Sequence, residues 1–108
     1  MISIEDIKKD LKKYSKPNRV HILQNFFKTG EGEYGEGDVF LGIYSDDIKL
    51  VAKKYKDIEL SLVKKLLESK IHEERVLAIR ILVEKYQKTN DNKIFFFYKK
   101  HNRKINNW

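Results

Sequence analysis

Apolar positions along the chain recur every three or four residues, and they break the sequence into short amphipathic segments. Ser3 stands where a helix cap is expected, followed by Ile4, Ile7, Leu11 and Tyr14 on one stripe. Pro17 suits the first turn of a second helix running to about Thr29, with Val20, Leu23 and Phe27 on one face beside Ile22 and Phe26. Gly30 marks its stop, and Gly32, Gly35, Gly37 and Gly42 make residues 30–44 a long ordered loop. Val39, Phe40, Leu41 and Ile43 are expected to tuck that loop against the core. Ser45 opens a third helix, with Asp46 and Asp47 in a first turn that favours negative charge and an apolar stripe of Ile48, Val51, Ala52 and Tyr55. A fourth helix is predicted from about Leu60 to Ser69 through Val63, Leu66 and Leu67. The fifth, from about His72 to Lys88, is apolar on more than one face, which predicts that neighbours sandwich it. Asn90 caps a sixth helix, with Ile94, Phe97 and Tyr98 inward and Phe95 and Phe96 flanking them; residues 104–108 read as the start of a seventh.

No segment alternates apolar and polar residues for long, and Ile94 to Tyr98, the one strand competitor, sits between a helix cap and polar residues. The pattern predicts an all-α fold, a single helical domain over residues 1–108. Short helix pairs with brief links further suggest a HEAT-like α-solenoid of antiparallel helix pairs, about six helices in all. No exact internal repeat is visible, so the repeat expectation is architectural.

Composition narrows the function classes. No run approaches the ~18 apolar residues that a membrane-spanning helix needs, and the acidic start Met1 to Asp6 is unlike a signal peptide. The chain has no cysteine, which removes disulfides, thiolate metal sites and cysteine nucleophiles, and fits a cytoplasmic protein. Against 16 Asp and Glu stand 23 Lys and Arg, a net charge of +7 that favours a polyanionic partner. The charge is unevenly placed: Lys93, Lys99, Lys100, Arg103 and Lys104 crowd the C-terminal end without an acid, while Glu31, Glu33, Glu36 and Asp38 make the glycine loop acidic.

Few motifs survive inspection. Gly30-Glu31-Gly32-Glu33-Tyr34-Gly35 has the glycine spacing of a dinucleotide fingerprint, yet it follows a helix and carries two glutamates that repel phosphate. His72-Glu73-Glu74-Arg75-Val76 begins like a zinc-protease helix without the second histidine, and His21, His72 and His101 share no ligand spacing; no metal site is expected. A surface or capping role is the expectation for these histidines, and Glu73 and Glu74 fit compensation of the helix dipole. The stretch from Lys99 to Trp108 joins positive charge, the amides of Asn106 and Asn107, and one large aromatic at a predicted helix start. It reads equally well as a phosphate contact or as a solvated helix end.

Several stretches taken together resemble the AlkD-like DNA alkylation repair family of alkylpurine DNA glycosylases. They are Phe26-Phe27-Lys28-Thr29-Gly30, the loop from Glu33 to Ile43, Leu50-Val51-Ala52-Lys53-Lys54-Tyr55, Ile71-His72-Glu73-Glu74-Arg75, Ile81-Leu82-Val83-Glu84 and Ile105-Asn106-Asn107-Trp108. The glycine loop and the Ile-Asn-Asn-Trp ending are the most specific parts. Asp46 stands where relatives often carry proline, and Lys49 where arginine is common.

The resemblance implies a HEAT-like solenoid whose concave basic face holds duplex DNA, and hydrolysis of the N-glycosidic bond of N-alkylated purines without metal or other cofactor. Trp108 matches the aromatic that precedes the family's Asp-x-x-Asp segment, which makes it the one active-site residue carried over, with Lys99, Lys100, Arg103, Lys104, Asn106 and Asn107 as candidate DNA contacts. The family's catalytic aspartate falls beyond residue 108. The chain is therefore expected to be a truncated, split or fragmentary N-terminal half that does not excise bases alone, with self-association or pairing with a missing C-terminal half as expected partners. The alternative from another class is a non-catalytic helical module that binds DNA or protein.

Overall fold

A computed structural model describes residues 2–20, 39–89, 93, 94 and 97. The first helix, α1, spans Ile4–Lys12, and the cap read from the sequence is there. The Ser3 hydroxyl accepts from the Asp6 amide at 3.2 Å while the Asp6 carboxylate accepts from the Ser3 amide at 3.2 Å, so two otherwise orphaned donors are satisfied reciprocally. Ile7 and Leu11 are fully buried. The helix stops ahead of Pro17, whose ring disfavours helical geometry at the residue before it, and a new helical turn at 17–20 begins on the proline. The rest of the predicted second helix and residues 30–38 of the loop lie outside the described residues.

The chain is described again from Val39. Its amide donates to Lys70 O at 3.1 Å and its carbonyl accepts from the His72 amide at 2.8 Å, forming an isolated parallel bridge between Val39 and Ile71. Among the described residues there is no strand, and the fold is all-α. Phe40 and Ile43 are buried as expected, but Val39 is 45% exposed: its backbone, not its side chain, ties the loop down.

Helix α2 spans Ser45–Lys54 and buries Ile48, Val51 and Ala52. Ser45 opens the helix as expected. Tyr44 is the capping residue, Ser45 is already helical, and no side chain caps the helix. Helix α3 spans Leu60–Leu67 and ends two residues before the predicted Ser69. Helix α4, His72–Thr89, packs on both α2 and α3, which accounts for its apolar residues on more than one face. Leu77, Ala78 and Ile81 have no exposed surface. Val76 and Ile79, half-buried, pack at the edge of this core, and the same stripe continues to Val83 and Tyr86, which are exposed. Helix α1 contacts both α2 and α3 and closes the core, to which Ile94 and Phe97 of the predicted sixth helix add their side chains.

Candidate nucleic-acid interface

The most organised polar feature is built on the first turn of α4. Glu73 is 2% exposed, and its carboxylate accepts three backbone amides of the preceding loop: Leu41 N at 2.9 Å on Oε1, with Gly42 N at 2.9 Å and Ile43 N at 3.3 Å on Oε2. Three consecutive amides can point at one carboxylate because Gly42 has a φ of 73°, in the left-handed region open to a residue without Cβ. Space demands glycine as well, since a Cβ at position 42 would lie 2.2 Å from Lys16 O.

That close approach joins the loop to the segment after α1. The Lys16 amide donates to Leu41 O at 3.1 Å and to Gly42 O at 3.0 Å, and the Ser15 hydroxyl donates to Leu41 O. Lys16 O in turn accepts from the Arg19 amide at 2.9 Å. Arg19, half-buried, and Tyr44, exposed, are thereby brought together although 25 positions apart by their numbering. The Arg19 guanidinium lies 4.0 Å from the centroid of the Tyr44 ring, and Tyr44 is 51% exposed. No ion pair to Arg19 forms among the described residues.

The neighbours of Glu73 are buried too. His72 is 7% exposed and packs its ring 4.8 Å from that of Phe40, centroid to centroid. Arg75 donates to Ser69 O at 3.0 Å. Glu74 is 2% exposed, with the Lys8 ammonium 3.5 Å from its Oε1. A surface place for His72 is therefore corrected, while Glu73 and Glu74 lie in the first turn of α4 as dipole compensation expects, but buried. These side chains tie α4 to α1 and to the loop, and one glutamate serves as an anchor for backbone amides. Nothing in the spacing announces the anchor, because the amides that Glu73 gathers lie 30 or more positions away.

A second polar cluster joins α1 to α2. Asp10 accepts from Lys54 Nζ at 2.6 Å and from the Tyr55 hydroxyl on Oδ2, and from Lys13 Nζ at 3.1 Å on Oδ1. The Lys54, Tyr55 and Lys13 hydrogen bonds hold the Asp10 carboxyl well below its ordinary 3.8. Its partners move the other way: the bond to Asp10 raises Lys54, and burial followed by the same carboxylate raises Tyr55. These side chains, with Ile2, Asp6 and Lys9, line an open groove of about 480 Å³. Two of its lysines are already held by Asp10, which leaves the groove little charge to offer a ligand.

The residues singled out from the sequence, Lys99, Lys100, Arg103, Lys104, Asn106, Asn107 and Trp108, all lie outside the described residues, as does the glycine fingerprint at 30–35. Among the described residues no group of three or more His, Cys, Asp or Glu side chains gathers as a metal site, and no helix is long and apolar enough to cross a membrane.

A sequence model of the DNA alkylation repair enzyme family matches residues 7–108. The chain belongs to this family. Comparison with curated proteins found no match, and comparison with solved structures found none. The family match takes in the loop from Leu41 to Ile43 together with the Glu73 that holds it, and it gives the chain a role in DNA alkylation repair with DNA as a partner.

Proposed function

We propose that the chain acts in the removal of N-alkylated purines from duplex DNA by hydrolysis of the N-glycosidic bond, as the DNA-holding part of a HEAT-like stack of helices in a cytoplasmic glycosylase. The family match over residues 7–108 carries this reading, and the net charge of +7 supports it. The chemistry asks little of a protein. An alkylated purine is already cationic and a good leaving group, while the sugar passes through an oxocarbenium-like state that a carboxylate can stabilise. An indole face offers a cation–π contact to that positive charge, the role proposed for Trp108. Lys99, Lys100, Arg103, Lys104, Asn106 and Asn107 are proposed to contact the phosphate backbone. None of these residues supplies the carboxylate, the remaining part of the chemistry.

Methylated duplex DNA tests both halves of the proposal. Residues 1–108 are expected to bind it with an affinity that falls steeply with salt, and to release neither 3-methyladenine nor 7-methylguanine. Charge reversal at Lys99, Lys100, Arg103 and Lys104 is expected to weaken the binding. Base release by residues 1–108 would show that a carboxylate within them does the chemistry, and failure to bind duplex DNA would overturn the DNA-holding role.

A further inference from the structure

We propose that Arg19, laid over the ring of Tyr44, is a contact for a phosphate of the nucleic-acid backbone; the inference rests on the DNA-holding role proposed above. Several other described cations are already spent within the fold. Lys13 and Lys54 are held by Asp10, Lys88 by Asp57 at 2.7 Å, and Lys8 faces the buried Glu74. A second cation also lies near an aromatic face, Lys54 at 5.3 Å from the Tyr55 centroid, but it is the one that Asp10 binds at 2.6 Å. Arg19 combines an aromatic backing with no carboxylate partner among the described residues.

The geometry suits phosphate. A guanidinium stacked on a ring keeps its N–H groups in its own plane, directed past the ring edge, where the fork matches two phosphate oxygens. The ring also restricts the side chain before any ligand arrives, so less freedom is lost on binding. Both residues stand next to hydrogen-bonded backbone. Arg19 follows the turn bonded to Leu41 and Gly42, and Tyr44 follows the three amides gathered by Glu73. Asp46 and Asp47 in the first turn of α2 disfavour an anion at that helix end, which assigns the contact to the guanidinium and not to the helix amides.

A contact of this kind carries no base information, and its removal weakens binding alike for all sequences. The test is titration of a fluorescently labelled duplex with the intact protein at several salt concentrations. Arg19→Gln is expected to bind about tenfold more weakly. Its plot of log affinity against log salt should be shallower by about 0.9, the share of one phosphate. Arg19→Lys keeps the charge and should keep the slope while losing affinity. Tyr44→Phe preserves the ring and should match the parent protein, whereas Tyr44→Leu should bind about threefold more weakly. Should Arg19→Gln lose its helical circular dichroism, the Phe and Leu variants at position 44 decide the matter between them. Parent-like affinity and slope in Arg19→Gln, or equal binding by the two Tyr44 variants, overturns this contact and leaves the DNA-holding role standing. A parent protein that binds no duplex at all ends both.

Discussion

Gly42 occupies a position that no residue with a Cβ fills without moving the backbone of Lys16. An alanine there meets two costs: the left-handed φ of 73°, worth about 1–2 kcal/mol, and the contact with Lys16 O. Gly42→Ala is expected to lose at least about 2 kcal/mol of stability in urea unfolding. Glu73→Gln keeps the size of the anchor but replaces one acceptor oxygen with an amide nitrogen that faces backbone N–H groups. Because those donors are buried, a loss of about 2–4 kcal/mol is expected from the same measurement. Equal stability of Glu73→Gln and the parent protein would show that water replaces the carboxylate, and the clamp would have no structural weight. At this scale the sequence was least legible. A glutamate in a first helical turn looks the same whether it faces solvent or gathers the amides of a loop 30 or more positions back. Only the likeness of the Ile71 to Arg75 stretch to a known family marked these residues as special.

Helices were far more legible, because a period near 3.6 and a local cap need no distant information. The cap at Ser3 and the start of α2 at Ser45 could be read directly, although Tyr44, the residue at the cap of α2, makes no side-chain bond there. The contact between α1 and α2 through Asp10 was invisible for the opposite reason, since its partners Lys54 and Tyr55 are 44 and 45 positions away. This contact makes stability depend on pH at both ends of the scale. Asp10 is lowered by its hydrogen bonds, so its contribution is complete above 3.8 and is lost as the pH falls below that value toward the folded one. Tyr55 and Lys54 are raised, so theirs are complete below 10.0 and 10.5 and are lost as the pH climbs past those values. The difference in stability between the parent protein and Asp10→Asn should therefore stay level from about pH 5 to 9 and shrink on either side. Tyr55→Phe should remove part of the alkaline loss only, because burial as well as Asp10 raises the hydroxyl. A difference unchanged down to about pH 2 would mean that Asp10 is not ion-paired in solution.

The all-α character of the molecule could be read from the chain as a whole, and so could the central place of the fifth predicted helix: only an element packed on two sides needs apolar residues around most of its circumference. Which side stays open could not be read, since Val83 and Tyr86 are as apolar as Ile81 and Leu82 beside them. The distinction is one of packing and it has a measurable consequence. The buried apolar residues other than Phe40 form one continuous cluster drawn from all four helices together with Ile43, Tyr55, Ile58 and Ile94, so the helices share a core instead of each closing its own. Leu77, with no exposed surface, sits in α4 where it meets α2 and α3. Leu77→Ala is expected to cost about 2–5 kcal/mol, while Tyr86→Ala, on the open stripe, should change stability by no more than about 0.5 kcal/mol. Because the cluster is shared, the loss at Leu77 should reach every element at once. Amide exchange in α1 and in α2 should accelerate by the same factor, although neither helix carries the substitution. Faster exchange confined to α4 would mean that the helices open separately. The platform of Gly42, Arg19 and Tyr44 would then owe its order to the Glu73 clamp alone and not to the core behind it.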